Sequence, residues 1–170
     1  MVCGEYGDAC LDGDQFLIEV YMDNRDVEFM KLALEEARMA AEAGEPPIGA
    51  VLVCGGEVLV AAHNHREREY DITSHAEIEV LRAAGKLKKD WRMNDCTLYV
   101  TLEPCPMCAG AILAARVGRV VYAAKDPVAG AMGSVLNLPR FPLGAHPVVE
   151  GGLLLEEARD MLQEFFKSKR

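Results

Sequence analysis

The sequence predicts an α/β domain in which helices cover both faces of a mixed central sheet, a three-layer α-β-α sandwich. From Asp26 onward, apolar residues recur with a period near 3.6 residues, and this pattern stops at Gly44, which is typical of an amphipathic helix. Further along the chain, apolar and β-branched runs alternate with helical patterns, which indicates βαβ crossovers and some parallel strand pairing. A chain of 170 residues can bury one hydrophobic core, so we expect a single folded domain.

A β-hairpin is predicted after the first helix. Residues 48–54 and 58–62 are apolar or β-branched runs, and Gly55 and Gly56 lie between them. A glycine pair between two such runs is a strong short-range signal for a hairpin. The central sheet is therefore expected to begin near residue 48.

The rest of the chain is predicted to alternate between helices and strands. After a polar loop over residues 64–71, Thr73 or Ser74 can cap a helix that runs to about Ala84 and ends at Gly85. The remaining predicted elements are strands at residues 97–101, 119–124 and 147–150 and helices at residues 106–115 and 156–167.

The N-terminal segment differs from the rest of the chain in charge. The formal net charge is −9, and residues 1–24 contain six acidic and no basic residues, which leaves −3 for the remainder. We expect residues 1–24 to form an acidic extension that is poorly ordered or docked peripherally, and residues 25–170 to form the folded domain. A small net charge does not exclude phosphate binding by a local basic cluster.

The sequence also carries expectations about the cellular compartment. No apolar run approaches the roughly 20 residues of a membrane-spanning helix, and the N-terminus lacks the pattern of an export signal. We therefore expect a cytoplasmic protein with no membrane partner. In that compartment the six cysteines are expected to be thiols or metal ligands. Cys54 and Cys96, at the ends of apolar runs, are interpreted as buried thiols, and Cys3 and Cys10 lie in the extension.

Cys105 and Cys108 have the spacing of metal ligands. Two residues three apart on a helical turn face the same way, so both thiols can bind one ion. Pro106 suits the first helical position, which places Cys105 at the N-cap. The helix dipole and the free N–H groups there favour the thiolate, which is the form that binds metal. For this motif alone, a redox pair or two buried thiols remain alternatives.

His75 and Glu77 would complete a catalytic zinc site. One imidazole and two thiolates give a tetrahedral ion three ligands and leave a fourth position for water. Residues two apart point about 200° apart on a regular helix, so His75 and Glu77 must straddle a helix start, where Glu77 can reach that water. A closed structural site is the alternative. None of the other candidate ligands lies at a short ligand spacing from His75 or from the Cys105–Cys108 pair. These candidates for a fourth ligand are Cys54, Cys96, His63, His65 and His146.

The two motifs together resemble the signature of the zinc deaminases that act on cytosine or adenine, His-x-Glu followed by Pro-Cys-x-x-Cys. From Asp26 to the C-terminus the chain is similar to the bacterial tRNA adenosine deaminases within that superfamily, which implies a cytidine deaminase-like fold. Ile72 stands where relatives often have proline, and the acidic extension has no counterpart. The likeness is carried by Pro47 to Ala50, Asn64, Thr73 to Glu77, Thr101 to Cys105, Ala109 to Ala111, Asp126, Gly130 to Ser134, and Phe165-Phe166.

The resemblance implies roles for further residues. Asn64 would read a flipped adenine, the backbone around Ala76 would help to fix it, and Ile48 would line the pocket. The loop that contains Asp126 would meet the RNA near the target nucleotide. The alternatives are that Asn64 only terminates a strand and that Asp126, which precedes Pro127, only forms a turn.

The implied activity is hydrolytic deamination of adenosine to inosine at the wobble position of a tRNA anticodon. The resemblance also implies one Zn²⁺ per subunit, the tRNA anticodon loop as partner and a homodimer, to which the apolar residues 109–114 would contribute. Zinc lowers the pKa of its water from about 16 toward 7, and Glu77 would take and return the protons. The alternatives are a deaminase of free cytosine, guanine or a nucleoside, and an inactive zinc-stabilised subunit.

The C-terminus ends in an aromatic and basic cluster. Single-stranded RNA is held by stacking on aromatic rings and by cations along the phosphates, so we predict that this cluster contacts RNA. The alternative is a solubilising helix end, because basic residues there suit the helix dipole and the phenylalanines can pack on the core. The cluster consists of Phe165, Phe166, Lys167, Lys169 and Arg170.

Overall fold

A five-stranded mixed sheet forms the centre of the fold. The structure is a computed structural model that describes residues 24–169, so the expected extension, apart from Asn24, lies outside the described residues. The strand order is β2-β1-β3-β4-β5. β1 pairs antiparallel with β2 and β3, whereas β3, β4 and β5 run parallel. The strands are β1 Gly49–Cys54, β2 Glu57–His63, β3 Cys96–Leu102, β4 Arg119–Ala124 and β5 Val148–Gly151.

Helices cover both faces of this sheet, which confirms the predicted three-layer α/β class. α3 and α4 pack on one face, and α1 and α5 pack on the other. Side chains alternate along a strand, so Ala50 and Leu52 of β1 face α3 and α4 while Val51 and Val53 face α1. The helices are α1 Asn24–Glu42, α2 Arg66–Glu69, α3 Ala76–Lys88, α4 Pro106–Ala114 and α5 Leu155–Ser168, with a 3-10 turn at Leu138–Arg140. None of these helices is long and apolar enough to span a bilayer.

The predicted limits of α3 are wrong at both ends. Its N-cap is His75, and no side chain caps it, because the Ser74 hydroxyl donates to Glu79 instead. At the other end the helix continues through Gly85 to Lys88, and Lys89 closes it in the left-handed conformation. A glycine inside a helix costs only about 1 kcal/mol relative to alanine, which the packing of the buried helix face offsets. The polar loop before α3 contains the short helix α2.

The interpretation of Cys54 and Cys96 as thiols is wrong, because the structure joins them in a disulfide. They stand directly opposite each other on the antiparallel strands β1 and β3, with their Cα atoms 4.3 Å apart. That spacing is close to the value of about 4.5 Å typical of a non-hydrogen-bonded antiparallel pair, whose side chains are adjacent. The pairing follows from the register of strands that are 42 residues apart in sequence.

Candidate active site

The sequence-predicted metal ligands converge at the N-terminal ends of α3 and α4. His75 and Cys105 are the N-cap residues of these helices, and both have extended backbone conformations. Pro106 opens α4, and Cys108 lies in the first turn, where it is buried. The ligand atoms of His75, Cys105 and Cys108 all lie within 4.8 Å of one another. Two helix starts thus deliver three donor atoms to one point.

The spacing of these donors fits a tetrahedral zinc ion. The Nδ1 atom of His75 lies 3.5 Å from the Cys108 Sγ and 3.8 Å from the Cys105 Sγ. With Zn–N bonds of about 2.0 Å and Zn–S bonds of about 2.3 Å, tetrahedral geometry separates nitrogen from sulfur by about 3.5 Å. The cluster therefore has both the donor types and the dimensions of a three-ligand zinc site.

The electrostatics of the cluster favour the thiolate form of one ligand, Cys105. The hydrogen bond with Cys108 lowers the pKa of the Cys105 thiol to about 4, and the same contact raises the pKa of Cys108. The pKa of His75 is raised by its hydrogen bond with Cys105. At neutral pH Cys105 is therefore a thiolate, the form that binds metal.

The alternative of a closed structural site lacks its fourth ligand. Within residues 24–169, His75, Cys105 and Cys108 are the only such group of histidine, cysteine or acidic side chains close enough to share an ion. The other candidates are engaged elsewhere. His63 bonds Glu36 at 2.6 Å, and His146 bonds a backbone oxygen at 2.8 Å. The three-ligand set leaves one position of a tetrahedral ion open, as in catalytic zinc sites.

Glu77 lies buried beside this cluster, in the first turn of α3. Its carboxyl group contacts Cys108, and burial raises its pKa. Within the described residues, its Oε2 is the one buried side-chain oxygen or nitrogen that lacks a hydrogen-bond partner. Such an atom costs free energy unless a polar group joins it. The position is therefore suited to a water molecule or a polar atom of a substrate.

Asn64 lies next to the cluster, just beyond the end of β2. The N–H of the following residue, His65, donates to the carbonyl of Ser74 at 3.0 Å, which holds Asn64 near His75. Asn64 is buried, and its Nδ2 donates to the Glu45 Oε2 at 2.9 Å. Sequence reasoning did not identify Glu45, whose only signal is an acidic residue immediately before the Pro46-Pro47 pair.

The other two sequence-predicted pocket residues flank these elements. Ile48 directly precedes β1 and packs, partly buried, against the core on the face of α3 and α4. Ala76 is the first residue of α3 and is fully buried. β1 and α1 approach closely at Gly49, where an added Cβ would overlap the backbone of Ala33. Replacing Gly49 would therefore displace the strand that follows Ile48.

A second buried carboxylate shapes the loop that contains Asp126. Glu103, at the end of β3, accepts hydrogen bonds from the backbone N–H groups of Asp126 at 3.2 Å and of Met132 and Ser134, each at 3.0 Å. Gly130 lies against this carboxylate, and an added Cβ would overlap it. The Asp126 Oδ1 accepts hydrogen bonds from two N–H groups of its own turn. Asp126 therefore has a turn-forming role in the described structure, whatever it contacts outside the chain.

The structure does not bring the C-terminal aromatic and basic residues to the cluster. Phe165, Phe166 and Lys167 lie in the last turn of α5 and Lys169 caps it, and α5 packs on the sheet face opposite α3 and α4. The rings of Phe165 and Phe166 are 5.4 Å apart, and the Phe166 side chain is exposed. The Lys169 Nζ lies 5.3 Å from the Phe165 ring centroid, and Lys167 is exposed. Arg170 lies outside the described residues.

Comparison with known proteins places the chain in a family. Residues 23–124 match the family described as the cytidine and deoxycytidylate deaminase zinc-binding region. A tRNA-specific adenosine deaminase from Bacillus subtilis is 48% identical over 147 residues, 86% of this chain and 91% of that protein. A tRNA-specific adenosine deaminase from Agrobacterium fabrum is 46% identical over 143 residues, 84% of this chain and 94% of that protein.

Solved structures agree with this placement. A structure from a study of A-to-I editing by tRNA:A34 deaminases at the wobble position has 45% identity and a TM-score of 0.78 and covers 79% of this chain and 99% of that one. A guanine deaminase from Bacillus subtilis has 39% identity and a TM-score of 0.57 and covers 61% of this chain and 66% of that one. The resemblance that the two sequence motifs indicated is confirmed, and the chain belongs to the cytidine and deoxycytidylate deaminase family of zinc-dependent enzymes.

Proposed function

We propose that this protein hydrolyses adenosine to inosine at the wobble position of a tRNA anticodon. The observation that carries the proposal is the open three-ligand cluster with the unpaired Glu77 Oε2 beside it. Relatives that are 46% and 48% identical over more than four-fifths of the chain are tRNA-specific adenosine deaminases, which supports this substrate class over a free base.

In this proposal His75, Cys105 and Cys108 hold zinc, and Glu77 moves the protons. When bound, zinc supplies a water molecule whose pKa is lowered toward about 7. Glu77 would accept one proton from that water and pass it to a ring nitrogen of the base, and would then accept the second proton from the added oxygen and pass it to the amino group. Oxygen is added at the carbon that carried the amino group, and ammonia leaves. The buried Glu77, with its raised pKa, is suited to holding a proton between these steps.

The surrounding residues are proposed to bind the nucleotide. Asn64 hydrogen-bonds the flipped base, Ile48 and the backbone at Ala76 pack around it, and the loop of Asp126 contacts the RNA. The support for these roles is the position of Asn64 beside His75 and that of Ala76 between His75 and Glu77. The cytoplasm is the compartment in which such a tRNA substrate would be met.

The decisive experiment is incubation of the zinc-loaded protein with tRNA that has adenosine at the wobble position, followed by sequencing for inosine. We expect inosine at that position and none in a matched tRNA with guanosine there. Free guanine, cytosine and adenosine are tested in parallel by ammonia release. Ammonia from a free base, with no inosine in tRNA, would instead support the nucleobase deaminase alternative.

We also infer that two copies of the chain form a homodimer through α3 and α4. The outer surfaces of these helices form an apolar groove, and a Cβ added at Gly110 would meet no atom within 4 Å. Leu87 and Trp91 nearby are 64% and 51% exposed. A second copy is the proposed occupant because the groove joins small residues on α4 to larger apolar side chains on α3, a surface that can pack against itself. The groove is lined chiefly by Ile78, Leu81, Trp91, Ala111, Ala114 and Ala115.

Sedimentation at micromolar concentration should show a species of twice the 18.6 kDa chain mass. Ala114→Glu places a charge in the groove and should shift the protein toward the single chain. Leu32→Glu, on the exposed side of α1, makes the same kind of change on the opposite sheet face and should leave the dimer intact. A parent protein that sediments only at 18.6 kDa would contradict the inference.

The C-terminal cluster is proposed to contact RNA. Changing Lys167, Lys169 and Arg170 to Glu should weaken tRNA binding and flatten its salt dependence, because each lost phosphate contact lowers the slope by about 0.7 to 0.9. The measurement is tRNA affinity across a salt series, with zinc content as a check on the fold.

The control for net charge changes three exposed basic residues outside the C-terminal cluster to Glu. This control variant should change the salt slope much less than the C-terminal variant does. Its positions are Lys31, Arg38 and Arg159. If the C-terminal variant binds and deaminates tRNA like the parent from low to moderate salt, the cluster is only a solubilising helix end.

A further inference from the structure

A buried carboxylate, that of Glu45, bonds the side chain of Asn64. Glu45 is 1% exposed and accepts three hydrogen bonds: from the Asn64 Nδ2 at 2.9 Å, from the Glu67 N–H at 3.1 Å and from the Arg68 N–H at 2.6 Å. Within residues 24–169 no lysine or arginine side chain forms an ion pair with it. These three donors, from two segments that meet at the site, therefore compensate its buried charge.

This contact fixes the orientation of the Asn64 amide. A carboxylate only accepts hydrogen bonds, so the NH₂ group of Asn64 must face Glu45 and its Oδ1 must point the other way. Within the described residues the Oδ1 has no hydrogen-bond partner, and because it is not a fully buried atom, it is accessible although Asn64 as a whole is only 3% exposed. The backbone bond from His65 to Ser74 holds the Asn64 main chain beside the segment that carries His75, the metal ligand that follows Ser74.

We propose that Glu45 is a positioning residue that acts through Asn64, setting the amide so that the site presents a hydrogen-bond acceptor to an N–H or O–H group of the substrate nucleotide. The inference rests on the proposed function. It gives Glu45 a part in specificity, because a buried acceptor left unpaired by the wrong substrate penalises its binding. Glu45 itself touches neither the reacting base nor the metal ligands.

A purely structural role for Glu45 is the competing explanation. Two of its three hydrogen bonds go to backbone N–H groups of α2, so Glu45 also stabilises the start of that short helix. An experiment must therefore distinguish loss of the Asn64 orientation from loss of α2. The side-chain amide of Asn64 provides the distinction, because only the positioning role requires it.

The isosteric substitution Glu45→Gln is the first step of the test. Its amide oxygen can keep a bond to the backbone of α2, while its NH₂ group faces Asn64 and induces that amide to turn over. The site would then present a donor in place of an acceptor. We expect kcat/KM on tRNA to fall about 10- to 100-fold, as is typical for groups that orient a ligand-contacting residue, with zinc content unchanged.

A double-mutant cycle with Asn64→Ala separates the two roles. Where Asn64 has been removed there is no amide to turn, so Glu45→Gln should then change kcat/KM by less than about twofold. An equal loss in both backgrounds would overturn the proposal and leave Glu45 a structural residue. Glu36→Gln is the matched control. It neutralises an acid that bonds His63, next to Asn64 in sequence, without touching Asn64 itself.

A second readout does not depend on activity. In the NMR spectrum of the parent, the Asn64 side-chain NH₂ signal, identified by its absence in Asn64→Ala, should show slowed exchange with water. It should move in Glu45→Gln and stay in place in Glu36→Gln. An unchanged Asn64 signal in Glu45→Gln would refute the positioning role. If the parent makes no inosine in tRNA, the proposed function fails, and this spectrum still decides the role of Glu45.

Discussion

Glu77→Gln should leave a folded, zinc-containing protein that has lost nearly all of its deaminase activity. The substitution keeps the shape of the side chain and removes its ability to accept and return a proton. General acid-base catalysis is worth about 10²- to 10⁴-fold, so we expect the single-turnover rate to fall by that factor. Zinc should remain equimolar, because the three proposed ligands lie on His75, Cys105 and Cys108.

The unpaired Glu77 Oε2 also predicts how the substitution affects stability. Most buried polar groups in proteins have a partner, so an unpaired one calls for an explanation such as a catalytic role or a bound water or ion. The Glu77 Oε2 is such an atom, so replacing it should not lower the melting temperature appreciably. Glu79→Gln is the matched control, because Glu79 lies on the same helix and bonds Ser74 and Arg82. A Glu77 variant within tenfold of the parent rate would refute the proton-carrier role.

The elements that carry the site could be predicted from local sequence patterns. The glycine pair predicts the β1–β2 turn, Pro106 predicts the start of α4, and both agree with the structure. The requirement that His75 and Glu77 straddle a helix start also agrees, because His75 is the N-cap of α3 and Glu77 is its second residue. Each of these features depends on residues that are neighbours in the sequence, so a short segment is enough to predict it.

The features that sequence reasoning missed depend on contacts between distant segments. Glu45 and Glu103 each bind donors more than 15 residues away, and in the sequence neither differs from a surface acid. The disulfide between Cys54 and Cys96 depends on the register of β1 against β3. Gly85 was misjudged because helix packing, which its own neighbours do not reveal, outweighs its low helix propensity.

Cys105→Ala should lose the zinc ion and part of the stability together. The purified parent should contain one zinc per chain, and the variant should contain almost none, because two remaining ligands do not hold a tetrahedral ion tightly. An ion present at about 100 times its dissociation constant stabilises the folded state by about 2.7 kcal/mol. For a domain of this size that free energy corresponds to roughly 5 to 10 °C in melting temperature.

Chelation separates the loss of metal from the loss of the side chain. A strong chelator should lower the melting temperature of the parent by that amount and should leave Cys105→Ala unchanged, since the variant has no ion to lose. The double substitution Cys54→Ser and Cys96→Ser is the matched control, because it also replaces cysteines but lies outside the ligand cluster. That control should keep one zinc per chain and remain sensitive to the chelator. Equimolar zinc in Cys105→Ala would show that the ligand set at the starts of α3 and α4 is wrong.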